Sequence, residues 1–246
     1  MTGIAIVGGG VGGLSLARLL IEADIGPVTV FEAAERPGGK SLTFYGGDAV
    51  AEMGTCYTTL SHSIVKSWMR EKRINLRRMG KAQFDGRKFT AYVNQAGGPP
   101  FAIQALGFFR AGARLKRAVE APDPSQRVLD EAGMTTLEWL RMMNMPKVER
   151  FLHRMVTIMG YGFLDETPII QAHRWCDPQL LASGMFNLIH MPEEGWTEFW
   201  CRLAEDIDLR VSSPVTGFSR NDNGVIVETP AGQAQFDQLV CAIPLD

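Results

Sequence analysis

Cysteine is sparse and scattered in this chain, with Cys56, Cys176, Cys201 and Cys241 at no C-x-x-C spacing. That arrangement excludes a disulfide scaffold or zinc ribbon and makes a reducing cytoplasm the expected setting. Histidine is equally thin. His62, His153, His173 and His190 cluster with neither cysteines nor carboxylates at ligand spacing, so no metal centre is expected. No apolar run has the length of a membrane span, and the amino terminus reads as a strand rather than a cleavable signal. Neither sign of charge dominates: 25 Lys and Arg against 27 Asp and Glu leave a net charge of −2, which gives no reason to invoke nucleic acid. The 246 residues, 46% hydrophobic, suffice for a sizeable core in one or two domains.

Glycine is plentiful, and its placement is informative. A short apolar strand runs into Gly8-Gly9-Gly10-Val11-Gly12-Gly13, and Leu14-Ser15-Leu16-Ala17-Arg18-Leu19-Leu20 then opens a helix. In a G-x-G-x-x-G turn the first glycine (Gly8) allows the tight turn. The second (Gly10) lets a pyrophosphate approach the backbone, and the third (Gly13) lets helix and strand pack closely. Gly12 belongs to the same cradle, and the pyrophosphate would face the positive end of the helix dipole. Many glycine-rich turns satisfy the bare motif. Here a second strand, Val28-Thr29-Val30-Phe31, follows and ends in Glu32, where an acidic side chain is expected to meet ribose hydroxyls.

Beyond Glu32 lies Ala33-Ala34-Glu35-Arg36-Pro37-Gly38-Gly39-Lys40. Paired glycines expose backbone amides and Lys40 supplies a point charge, although a mobile turn with a solvated lysine reads the same residues more simply. A strand is expected near Ala49–Ala51 and a helix from Ser63 to Arg70, followed by a hairpin around Asp85-Gly86. Apolar spacing predicts helices over Phe101–Val119 and Thr136–Met159, separated by the proline-rich segment 121–125, and another over Gly195–Ile207. Strands then return at Leu209–Val211, Thr216–Arg220 and Val225–Thr229, and a last apolar strand is expected within Gln238–Asp246. Met142, Met143 and Met145 are expected to be packing residues.

The segment from Glu32 to Lys40 resembles the second phosphate loop of FAD enzymes of the flavin amine oxidase and phytoene desaturase superfamily. Glu52-Met53-Gly54 resembles the turn that touches the flavin side of the cofactor there. Val215, followed by Asp237 and a strand ending Ala242-Ile243-Pro244-Leu245, resembles the adenine-side edge. The middle of the chain, Ile158-Met159-Gly160-Tyr161-Gly162-Phe163 and onward to Trp196, is similar to the polyenoic fatty acid isomerase branch. The resemblance implies an α/β fold, a Rossmann-like FAD-binding domain of the GR2 type, with a parallel sheet, a β-meander and an inserted, largely helical substrate domain. The expected organisation is a first FAD segment at 1–60, the insert at 61–207 and a second FAD segment at 208–246. Superfamily members return to the FAD domain a third time, and no stretch here corresponds to that return. The chain is therefore expected to be a piece of a longer protein or to be completed by a complementary chain.

The implied cofactor is noncovalent FAD, held by Gly8, Gly10, Gly12, Gly13, Glu32, Gly38, Gly39, Lys40, Met53, Gly54 and Val215. The implied reaction is hydride transfer from an apolar small molecule, unsaturated or amine-bearing, with an oxidase or isomerase outcome. No side-chain dyad is needed, because the cofactor carries the chemistry. A non-catalytic FAD-fold module is the alternative. Tyr161, Phe163 and Phe186 read either as walls of a substrate pocket or as core of a helical bundle. Arg78, with Arg77 and Lys81, reads as a carboxylate anchor or as solvated charge. Arg110, Arg114 and Arg117 form a basic stripe on one helix, suited to a membrane surface, an acidic partner or plain solvent.

Overall fold

A computed structural model describes residues 3–47, 49–55, 57–79, 83–84, 87–158 and 162–244. The chain divides into two compact units, the first made of Met1–Thr58, His62–Arg77 and His190–Asp246 and the second of Thr59–Ser61 and Arg78–Ile189.

The first unit is built on a parallel sheet whose strands lie in the order Gln238–Cys241, Ile4–Val7, Val28–Phe31, Asp208–Arg210. All of Val28–Phe31 is buried, as a strand covered on both faces requires. Alternate residues serve different cores. Ile4, Ile6, Val28 and Val30 pack with Leu14 and Ala17 of the helix Val11–Glu22, whereas Ala5 and Phe31 pack with Val227 and Phe236. Those last two residues come from the antiparallel meander Gly217–Asn221, Gly224–Thr229, Gly232–Phe236, whose Phe236 ring meets Phe31 edge-on at 5.8 Å. Asp237 fixes the register of the last strand: its Oδ2 accepts the Gly3 N–H at 3.0 Å while its own N–H donates to the Gly3 carbonyl at 2.9 Å.

The helices Ser63–Glu71 and Trp196–Ala204 belong to this unit, so the second unit is narrower than the expected insert of 61–207. The reason is burial. Trp68 and Met69 of one helix, and Phe199, Trp200 and Leu203 of the other, fill the same core as Ile6, Leu14 and Val30.

The second unit is mainly helical. Its core gathers Phe108 and Leu115 from the long helix Phe89–Val119, Trp139 and Leu140 from Thr136–Met142, and Leu152 and Val156 from Pro146–Ile158. The single helix expected over Thr136–Met159 is thus two. Asn144 takes a left-handed backbone (φ +52°), and Pro146, which has no N–H to donate, opens the next helix. Of the three nearby methionines only Met145 is buried, whereas Met142 and Met143 are exposed. Thr135 and Glu138 close a reciprocal capping box at the start of Thr136–Met142. The spacing of apolar residues does not predict the helices Gln126–Gly133, Ile169–Trp175 and Pro178–Met185, each too short for its periodicity to stand out from a loop. The residues Asp85-Gly86 of the expected hairpin lie outside the described residues, as do Tyr161 and Lys81.

Candidate functional site

The six-residue glycine turn contains glycines of two physical kinds. Gly8 has φ +109° and donates its N–H to Phe31 O at 2.8 Å, and a Cβ there would lie 2.9 Å from Ala242 O. Gly13 is tighter still. A Cβ on it would stand 1.9 Å from Gly8 O and 3.3 Å from Ile6 Cγ2, so any side chain would push the helix off the strand. These glycines are demanded by the fold. Gly10 and Gly12 are not: a Cβ on Gly10 would meet only Gly39 Cα at 3.9 Å, and one on Gly12 would meet nothing within 4 Å. Gly10 is the N-cap of the helix and offers no side-chain acceptor, and the first helical turn carries no acidic residue. The free N–H groups and positive dipole end of the helix therefore open onto space that a side chain at Gly10 or Gly12 would fill.

Glu32 stands beside this opening, half-buried at the end of the strand Val28–Phe31. Its Oε2 accepts the Gly9 N–H at 2.7 Å and its Oε1 accepts the Ala34 N–H at 2.8 Å, which orients the carboxylate toward the glycine turn. Its backbone is held as well, the N–H donating to Arg210 O at 2.9 Å and the carbonyl accepting from Ser213 N at 2.8 Å. Two residues past Ser213, Val215 packs its side chain against the cluster of Ala5, Phe31, Val227 and Phe236.

The second glycine loop touches the first directly. Gly38 donates its N–H to Gly9 O at 2.8 Å, and a Cβ on Gly39 would be 3.0 Å from Gly10 Cα. Both Gly38 (φ +99°) and Gly39 (φ +55°) use left-handed backbone, which glycine adopts without steric cost. Arg36 curls over the loop, its guanidinium donating to Pro37 O at 3.1 Å and Gly39 O at 3.2 Å, while Lys40 is exposed. Behind the loop Trp200 donates its indole N–H to Ser41 Oγ at 3.0 Å. Gly54 closes on the same segment: with φ +93°, a Cβ on it would lie 2.3 Å from Lys40 O. Met53, its neighbour, pairs across the hairpin with Leu42 and leaves most of its side chain exposed.

The residues Gly8, Gly10, Gly12, Gly13, Glu32, Gly38, Gly39, Lys40, Met53, Gly54 and Val215 thus all lie in the first unit. Three residues that sequence reasoning did not single out take part. Gly9 supplies the N–H that holds Glu32. Its signal was the unbroken run of three glycines, since a Cβ on it would be 2.9 Å from Glu32 Cβ. Arg36 was visible only as a cation two residues before the paired glycines. Glu52 stands in the sequence only as the first residue of the Glu52-Met53-Gly54 turn, with no role of its own. Its carboxylate accepts from Thr43 Oγ1 at 2.9 Å and from the Trp196 N–H at 3.1 Å, tying the Met53-Gly54 hairpin to the helix Trp196–Ala204.

The substrate candidates Arg78, Phe163 and Phe186 lie in the second unit, whereas Tyr161 is outside the described residues. Phe163 is 52% and Phe186 68% exposed, so neither is core of the helical bundle, and Arg78 is exposed too. The basic stripe is divided: Arg114 is paired with Glu131 at 2.5 Å, while Arg110 has no ion-pair or hydrogen-bond partner among the described residues.

A sequence model of the family described as flavin containing amine oxidoreductase matches residues 11–246. The chain belongs to that family. Among curated relatives, polyamine oxidase 4 of Oryza sativa subsp. japonica is 22% identical over 263 residues, covering 98% of this chain and 51% of the relative. Among solved structures, the CLA-producing fatty acid isomerase from P. acnes superposes with a TM-score of 0.76 at 20% identity, over 99% of this chain and 59% of that one. Putrescine oxidase bound to putrescine gives a TM-score of 0.71 at 19% identity, over 99% of this chain and 58% of that one. At such identities these superpositions establish the fold. The chain spans about half the length of the curated relatives it matches. Among the described residues no helix is long and apolar enough to cross a membrane.

Proposed function

We propose that this chain carries the nucleotide-binding part of a noncovalent FAD site in an oxidoreductase or flavin-dependent isomerase that acts on an apolar small molecule by hydride transfer. The single observation that carries the reading is the open cradle at Gly10 and Gly12. The fold itself leaves room for a side chain there, yet both positions are glycine, and they lie beside an oriented carboxylate and a second glycine loop. That donor set fits a dinucleotide. Unsatisfied N–H groups at the helix start would face a pyrophosphate, the Glu32 carboxylate would accept ribose hydroxyls, and Arg36 and Lys40 would add positive charge over the phosphates. Val215 would flank the adenine, and Met53-Gly54 would lie toward the flavin. When bound, FAD supplies a ring that accepts and returns a hydride.

The chain's own work is binding and orientation. Phe163 and Phe186, large and exposed, support an unsaturated or amine-bearing substrate that is mostly apolar, with Tyr161 the third aromatic of that set. Arg78 is the proposed anchor for a substrate carboxylate. A second reading, a FAD-fold module that turns over only with a complementary polypeptide, is favoured by the length of the relatives and by the exposed apolar side chains of Phe44 and Met53 on one hairpin.

The test is a titration of the chain with FAD and with NAD, followed by flavin fluorescence and absorbance, for wild type and Gly10→Leu. The expected result is a preference for FAD that Gly10→Leu abolishes while the circular dichroism spectrum is unchanged. Retention of FAD by Gly10→Leu, or a preference for NAD, overturns the assignment. Substrate-dependent bleaching of the flavin by the 246-residue chain alone would overturn the second reading.

A further inference from the structure

One helix of the first unit, Trp196–Ala204, is fastened to both the second glycine loop and the Met53-Gly54 turn through residues outside the cofactor-binding set. Its middle holds the loop. Trp200 is buried in the core beneath the parallel sheet, and its indole N–H donates to Ser41 Oγ at 3.0 Å, a bond sealed from water because Ser41 is buried as well. The same indole lies against Gly38, where a Cβ would stand 3.1 Å from Trp200 Cδ1, and the Ser41 N–H closes the loop by donating to Gly38 O at 3.0 Å. Gly38 in turn donates its N–H to Gly9 O at 2.8 Å. A tryptophan therefore backs the loop where it meets the first glycine turn.

The start of the helix holds the other attachment. Gly195 is the N-cap, with φ +91° and no side chain to accept a bond, so the first N–H groups of the helix are answered from the hairpin Leu42–Gly46, Ala49–Met53. The Trp196 N–H donates to Glu52 Oε1 at 3.1 Å and the Thr197 N–H to Thr43 Oγ1 at 3.0 Å. Thr43 then donates its hydroxyl to Glu52 Oε2 at 2.9 Å and its own N–H to Thr197 Oγ1 at 2.8 Å. A carboxylate held by two donors at the positive end of a helix is a fixed point, and Glu52 directly precedes Met53-Gly54.

The two attachments, at Trp196 and Trp200, lie about one helical turn apart, so the helix sets their spacing and the loops need not. Loops ordered before the ligand arrives spare it the entropy of ordering them. We infer that Trp200 and Glu52 are positioning residues for the cofactor, Trp200 holding the loop that receives the phosphates and Glu52 the turn that lies toward the flavin. The inference rests on the FAD reading and deepens it.

Titration of the 246-residue chain with FAD and with ADP, which carries the adenosine and both phosphates but no flavin, separates the two roles. Wild type is expected to bind both. Trp200→Phe, which keeps an aromatic ring and removes the N–H, should weaken FAD and ADP alike by about tenfold. Glu52→Ala should weaken FAD by about tenfold and leave ADP within about twofold, and Glu52→Gln, which keeps an acceptor oxygen, should restore most of the loss. Should Trp200→Phe fail to fold, Ser41→Ala breaks the same bond from the loop side. Hydrogen exchange without ligand gives an independent readout. Trp200→Phe should speed exchange of the Gly38 and Ser41 amides by a larger factor than those of Ile4–Val7, whereas a general loss of stability speeds both equally. A wild type that binds neither FAD nor ADP overturns the FAD reading and the inference with it. Wild-type FAD binding with unchanged affinity in Trp200→Phe or Glu52→Ala, an equal effect of Glu52→Ala on ADP and FAD, or an equal rise in exchange at both sets of amides overturns the inference alone.

Discussion

Gly13 and Gly8 stand so close that a Cβ on the first would lie 1.9 Å from the carbonyl oxygen of the second, whereas a Cβ on Gly12, one residue earlier, would touch nothing. Two adjacent glycines of one motif therefore answer to different forces. Gly13→Ala must separate the helix Val11–Glu22 from the strand Ile4–Val7 and is expected to destabilise the chain by several kcal/mol, or to prevent folding. Gly12→Ala is expected to stabilise it by about 0.5–1 kcal/mol, because alanine loses less backbone entropy in a helix, and yet to weaken FAD binding. Urea denaturation and FAD titration on the two variants separate these effects. A Gly13→Ala protein as stable as wild type would contradict the packing argument.

Glu32 offers a second check. Its carboxylate is already oriented by the N–H groups of Gly9 and Ala34, so removing it loses a preorganised acceptor for ribose hydroxyls. Glu32→Ala is expected to weaken FAD by about 1.5–3 kcal/mol, the worth of hydrogen bonds to a charged group. An unchanged dissociation constant in a fluorescence titration would take Glu32 out of the site.

His173 makes acid stability predictable. It is buried between Phe108, with ring centroids 4.2 Å apart, and Trp139 at 5.1 Å, and its Nε2 has no hydrogen-bond partner among the described residues. Burial, helped by the nearby positive charges of Lys116 and Arg114 and opposed by Glu131, lowers its pKa from 6.5 to about 4. Between those values the unfolded chain takes up a proton that the folded chain refuses. Stability is fully present above pH 6.5 and falls as pH drops toward 4, by roughly 3 kcal/mol from this group. Thermal unfolding of wild type and His173→Phe across that range should show the wild-type slope reduced in the variant.

The cysteines should react in the order of their exposure. Cys241 is exposed, whereas Cys176 is buried and its thiol is pushed up to about 12, chiefly by that burial and further by Asp177. A maleimide at neutral pH is expected to label Cys241 in the native chain and Cys176 only after denaturant is added. Mass-spectrometric mapping that finds Cys176 modified first would show that this part of the second unit opens readily.

What the sequence determined by itself was local. The strand, glycine turn and helix at the amino terminus, the strand ending in Glu32, and the meander with its Asn-rich turn are set within a few residues by alternation, turn chemistry and periodicity. The pairing of Glu32 with the glycine turn was legible because both lie in one strand–helix–strand unit of standard length. The tertiary structure alone decided which core each helix joins. Trp68, Phe199 and Trp200 are as apolar as Phe108 or Trp139, and nothing along the chain says that the first three fill the core beneath the parallel sheet and the last two a separate one. It alone placed the Glu52 carboxylate on the Trp196 N–H, an acceptor and a donor 144 positions apart. Such facts depend on which surfaces meet across long stretches of chain, and short-range spacing carries no record of that.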